Sequence, residues 1–112
     1  MSRLSQAARA YQAGATHRSP RAQEAEVFQI TNAGLRAADS PAARTRALAD
    51  NRRLWTTVND LMRDPANALP MELRAAIFSV GLAVQREMEQ SEPNVQFLIA
   101  INENMGAGLL AG

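Results

Sequence analysis

Cysteine is absent from this 112-residue chain. Disulfide frameworks, thiolate zinc sites and cysteine nucleophiles are excluded with it. Histidine is almost absent. His17 is the single copy, in a polar connector, and one histidine without clustered ligands does not build a catalytic metal centre. Lysine is missing as well, so all 12 basic residues are arginine. That bias reads first as genomic composition and second as use of arginine's planar donors toward partners or phosphates. The 12 bases face 11 acids, a net charge of +1, which leaves no strong nucleic-acid footprint. Aromatic residues make up 4% of the chain, too few to suggest a base-stacking surface. No run of about 18 apolar residues occurs, so no membrane span is expected. No secretory apolar region is visible either, and a cytoplasmic location is expected. A Gly-rich phosphate loop, a nucleophile elbow and an HExxH pair are all missing. The acids are scattered, with Glu24 and Glu26 on different helical faces. No enzymatic activity and no cofactor are expected.

What remains is a chain of one-domain length, able to bury a modest core without metals or disulfides. Alanine, arginine, glutamine, glutamate and leucine dominate and favour helix. No stretch alternates with β-branched residues, so strands are not expected. Breakers divide the chain into about five helical pieces with short connections, an all-α bundle. The first piece runs from about Ser2 to Ala13 and stops near Gly14. Residues 1–21 carry Arg3, Arg9, Arg18 and Arg21 and no acid, a pattern shared with organellar transit peptides. Leu4, Ala7, Ala8 and Tyr11 on one face favour an ordinary first helix instead. Residues 1–18 are read as a mobile N-terminal helix of a single domain spanning 1–112. Ser19-Pro20 and Ser40-Pro41 each read as N-cap plus first helical residue. They start segments ending near Ala38 and Arg63. Residues 64–70 form a turn, a fourth helix spans about Met71 to Gln90, and Ser91-Glu92-Pro93 starts a fifth that fades at Gly106 and Gly108.

On a wheel of about 100° per residue, Leu48, Leu54, Trp55, Val58, Leu61 and Met62 share one face of the third segment. Asn51 falls inside that face. A buried asparagine is costly unless its amide is satisfied. It either ties a loop or helix end to the core, or lines a groove and pairs with a partner's backbone. Arg53 falls on the opposite, solvated side near Asp50. Arg52 lies on the flank, where arginine stems pack inward and rim a groove. The fifth segment repeats the pattern: Asn102 sits within the stripe Val95, Leu98, Ile99, Met105 and Leu109. Two such asparagines suggest a shared polar network that fixes register in an aliphatic core. The fourth segment is apolar nearly all round. Leu73, Ile77, Val80, Val84 and Met88 make one face; Met71, Phe78 and Leu82 make a second. Such a helix is either central or at an interface. Met71, Phe78 and Leu82, with Arg52, Trp55 and Arg74, are the expected partner-binding residues. Asn51 and Asn102 are the expected structural ties.

Several landmarks resemble one family in order and spacing. They are Ser19-Pro20-Arg21, Asn51-Arg52-Arg53-Leu54-Trp55, Asn67-Ala68-Leu69-Pro70, Leu73-Arg74-Ala75, and Ile101-Asn102 followed by Gly108-Leu109. From about Tyr11 to Leu109 the chain resembles FlaF, the flagellar biosynthesis regulator of alphaproteobacteria. It departs from that pattern at Ala100 and Glu103, where an acid and an arginine are expected, and at Gly106, which replaces a larger apolar residue. The resemblance implies a helical flagellin-binding secretion chaperone and regulator of flagellin synthesis. The implied partners are flagellin through its terminal helices, the translation regulator FlbT, and the flagellar export gate. Two alternatives are direct action on flagellin mRNA and a structural homo-oligomeric bundle, with a homodimer as its simplest form.

Overall fold

The structure, a computed structural model, describes residues 20–111, and side chains through residue 109. Four α-helices and no strands make up these residues: α1 (Pro20–Ala37), α2 (Pro41–Arg63), α3 (Met71–Met88) and α4 (Val95–Ala111). The fold is all-α. The first of the five expected helices, Ser2 to Ala13, lies outside the described residues, as does Ser19.

The boundaries follow local chemistry. Ser40 is extended and its hydroxyl accepts the Ala43 N–H at 3.1 Å, with Pro41 opening α2. At the other end Pro65 disfavours helical geometry at Asp64, which turns to φ −71°, ψ 118°. Asn67 then closes the helix. Its amide donates to the Leu61 carbonyl at 2.9 Å and its Oδ1 accepts the Leu69 N–H at 2.9 Å. The Asn67-Ala68-Leu69-Pro70 landmark is thus a C-terminal stop followed by a helix start. Arg74 reaches back to fasten it, donating to the Asp64 carbonyl at 3.2 Å.

Two expected boundaries are corrected. The fifth segment was expected to start at Ser91-Glu92-Pro93, but the cap of α4 is Asn94. Its Oδ1 accepts the Phe97 N–H at 3.1 Å, and its own N–H donates to Glu87 at 2.9 Å. Pro93 stands before the cap rather than inside the first turn. The same helix was expected to fade at Gly106 and Gly108, yet it continues to Ala111. Gly106 is buried against Ala25 and Phe28 of α1, so tertiary packing outweighs its roughly 1 kcal/mol propensity cost.

The broadest interface joins α1 to α4; α2 packs on α3 and, less extensively, on α1. The core comprises Phe28 and Leu35 from α1, Ala47, Leu54, Trp55 and Val58 from α2, Val84 and Met88 from α3, and Leu98 and Ile99 from α4. Phe28 meets Trp55 edge to face, with ring centroids 6.1 Å apart at 70°. That geometry adds roughly 0.5–1.5 kcal/mol beyond area burial. The helix that is apolar nearly all round, α3, is not central. Its C-terminal half is buried through Val84 and Met88, while Met71, Leu73 and Leu82 near its start and middle stay exposed. Gly81 permits its close approach to α2: a Cβ there would fall 1.8 Å from Asn59 Oδ1.

Candidate functional site

Two regions stand out, one sealed and one open. The sealed one is polar. Asn32, Asn51 and Asn102 come from α1, α2 and α4, and each is at most 1% exposed. Asn102 is the hub. Its Oδ1 accepts the Trp55 indole N–H at 2.8 Å, and its Nδ2 donates to Asn51 Oδ1 at 2.8 Å and Asn32 Oδ1 at 2.9 Å. Asn32 in turn donates to the Ile99 carbonyl at 3.0 Å, and Asn51 to the Met88 thioether at 3.2 Å. The amide orientations follow from the tryptophan. An indole N–H only donates, so the Asn102 oxygen must face it. The Asn102 nitrogen then faces the other two asparagines, whose oxygens must turn toward it. All four helices contribute a member. Arg36 and Glu103 form an ion pair beside it, linking α1 to α4; Glu103, a departure from the family pattern, has a structural use here.

Trp55, expected among the partner-binding residues, lies inside the core. It is 1% exposed and its one polar atom is bonded inside the core. Asn51 lines no groove either; its amide is spent on Asn102 and Met88. Asn32 was missed. Its signal was its position, four residues after Phe28 and three before Leu35, on the face that packs inward.

The open region is apolar. A groove of about 780 Å³ lies where the start of α1, the end of α2, the turn 64–70, the start of α3 and the end of α4 converge. Leu61, Met62, Leu69, Leu73, Ile77, Met105 and Leu109 give it an aliphatic and thioether lining, and Arg21, Glu24, Asp64, Asn67 and Asn104 supply its polar lining. Leu73 is 46% exposed. The groove takes the face of α3 that carries Leu73 and Ile77, not the face that carries Met71, Phe78 and Leu82. Sequence reasoning placed Leu73 on the inward face. The uncovered stretch arises because four helix ends meet there and no described element closes over them.

The expected partner residues fall in separate places. Met71 is 75% exposed and Leu82 40% exposed on the outer side of α3. Phe78, between them, is half-buried, with the Arg63 guanidinium 5.9 Å from its ring centroid. Arg74 is half-buried at the α2–α3 turn. Arg52 is exposed and borders a small hollow of about 220 Å³ between α2 and α3, with Trp55, Val84 and Met88 in its lining. Arg53 is exposed and paired with Asp50. Among the described residues no group of three or more His, Cys, Asp or Glu is placed to hold a metal. No helix among them is long and apolar enough to cross a membrane.

The fold and this site define a small all-α domain with a polar-tied core and an open apolar groove at one end. The family model of the flagellar protein FlaF matches residues 7–109, nearly the whole chain, and the chain belongs to that family. It is a flagellar protein. Comparison with curated proteins and with solved structures gave no match.

Proposed function

We propose that this protein is a flagellin chaperone. It takes the amphipathic terminal helices of unassembled flagellin and holds them until export, and in doing so regulates flagellin synthesis. The observation that carries this reading is the open groove lined by Leu61, Met62, Leu69, Leu73, Ile77, Met105 and Leu109. Helix-in-groove recognition needs an apolar floor that accepts residues at i, i+3, i+4 and i+7, and a polar rim that keeps the free groove in solution. Both are present. Burial of a large apolar side chain contributes roughly 1.5–3 kcal/mol, so a few such contacts offset the cost of association. The two methionines let the lining adapt to more than one helix sequence. Met71 and Leu82 extend the apolar surface of α3 beyond the groove. FlbT and the export gate are the proposed next partners of the loaded complex.

The test is co-purification of flagellin with the full chain from cells, with and without RNase treatment. RNase-resistant capture that is lost in a Leu109→Asp variant of unchanged helical content supports the reading. Association that RNase removes would replace it with action on flagellin mRNA. A flagellin-free dimer that grows with concentration would replace it with a homo-oligomeric bundle.

A further inference from the structure

The outward side of α3 is a second apolar surface, separate from the groove. α2 is the one broad neighbour of α3, and Met71 and Leu82 stay exposed on its outer side. Glu72, Ala75, Ala76, Ser79 and Arg86 are exposed with them, and Ala83 is half-buried. Glu72, Ala76, Ser79, Ala83 and Arg86 follow one another at alternating spacings of four and three residues. That is the heptad period, which keeps one line of side chains facing a second helix over several turns. Met71, Ala75 and Leu82 flank the line on one side. Leu73 and Ile77, which line the groove, lie about 120° or more round the helix from Ser79. Phe78 also falls outside the line, against Arg63 of its own chain.

Charge decides what fits this face. Glu72 and Arg86 stand at its two ends, about 21 Å apart, with Ser79 midway. Neither makes an ion pair among the described residues. A helix that brings an arginine to Glu72 and a glutamate to Arg86, at that same separation, is α3 itself turned end for end. A parallel copy would instead set Glu72 on Glu72 and Arg86 on Arg86. Reversal also opposes the two helix dipoles favourably. Size agrees with charge. Turning α3 about Ser79 lays Leu82 in the space left by Ala75 of the second copy, and Ala83 beside its Ala76. Alanine and serine at the contact let the two axes approach to about 8 Å. The remaining acids stay off the seam: Glu87 accepts the Asn94 N–H, and Glu89 is turned about 80° away.

We propose that this face binds a second copy of the chain. α3 pairs antiparallel with α3, with Ser79 at the two-fold axis and Glu72 paired with Arg86 across it at both ends. The interface is isologous, so each contact occurs twice. One helix against one helix buries less than the roughly 1,200–2,000 Å² of a standard interface, and the dimer is accordingly weak. The groove takes another side of α3, so the pairing leaves it open. The pairing does not rest on the chaperone reading, and a dimer that also carries flagellin satisfies both.

The test is charge reversal in the full chain, read by sedimentation equilibrium at concentrations up to about 1 mM, because the association is weak. Glu72→Arg and Arg86→Glu are each expected to weaken dimerisation by about tenfold or more, since each sets like charges together twice. The double variant is expected to return to within about threefold of the parent, because both pairs re-form with their signs exchanged. Within one copy the two positions are too far apart to compensate each other, so restoration can only come from a second, antiparallel chain. Far-UV circular dichroism checks that these exposed substitutions keep the helical content. A parent that stays monomeric throughout overturns the proposal. So does a dimer that neither single variant weakens, or a double variant no better than the singles. A second measurement uses the absence of cysteine. Under mild oxidation Ser79→Cys should link to itself across the axis, and Thr45→Cys, on the far end of α2, should not. Linking at Ser79→Cys no faster than at Thr45→Cys overturns the proposal as well.

Discussion

The asparagine–tryptophan cluster and the apolar groove are built from the same helices and follow opposite rules. In the cluster, polar groups are buried and nearly every hydrogen-bonding atom has one assigned partner. In the groove, Leu73 is exposed, the other six apolar lining side chains are half-buried, and nothing described covers them. Aliphatic packing alone tolerates sliding and repacking. A directional network joining Asn32, Asn51, Asn102, Trp55 and Met88 does not, because a shift of one helix strands several buried groups at once. Rigidity is thus concentrated in the middle of the core, and adaptable surface at the end where α2, α3 and α4 leave their apolar residues open. A site meant to accept a foreign helix benefits from that division, since the scaffold can lose the partner without losing its own register.

The sharpest way to break the comparison is Asn102→Leu. Leucine is close in volume but leaves the Trp55 N–H and the Asn32 and Asn51 oxygens buried without their partner. At roughly 1–3 kcal/mol for each such group, chemical denaturation should show a loss above about 3 kcal/mol. A variant that melts higher than the parent would show that the network does not fix the core. Gly81→Ala comes next. The added methyl collides with the Asn59 side chain, which is buried and whose Oδ1 has no partner. Overpacking of this kind costs about 1–3 kcal/mol. Combining it with Asn59→Ala should recover most of that loss, and additive losses in the double-mutant cycle would show that the α2–α3 seam is not limited by this pair. Gly106→Ala has the smallest effect on stability and the opposite sign. Its new methyl meets Ala25 and Phe28 at 3.7 Å, ordinary contact distance. Thermal unfolding should rise by the equivalent of about 0.5–1 kcal/mol. A fall would mean that α4 and α1 are closer in solution than 3.7 Å allows.

Much of this division was legible in the chain. Ser40-Pro41 and Asp64-Pro65 mark both ends of α2 through chemistry confined to a few residues, and such signals survive without tertiary knowledge. Asn51 and Asn102 stood out because each interrupts an otherwise apolar face. Asn32 was hidden by Thr31, a milder polar residue beside it, although its spacing from Phe28 and Leu35 is equally inward. The start of α4 was misplaced because Ser91-Glu92-Pro93 imitates the two true helix starts. The contacts of Asn94 with Phe97 and with Glu87, seven residues earlier in the last turn of α3, reveal it as the cap. Gly106 reads as a helix end until α1 is placed against it. The groove could not be read at all from periodicity. Leu73, Ile77, Met105 and Leu109 look like core on their own wheels, and which part of a core face remains uncovered is decided by where the other helices stop.

The most direct measurement is a calorimetric titration of purified flagellin monomer into the full chain and into its Leu73→Asp variant, with the unfolding temperature of both chains recorded alongside. Leu73 is about half exposed, so the substitution should change stability by no more than about 0.5 kcal/mol. If the groove is the working surface, binding heat disappears in the variant while its unfolding temperature holds. Binding retained at parental strength, by a variant that is folded, would contradict the account.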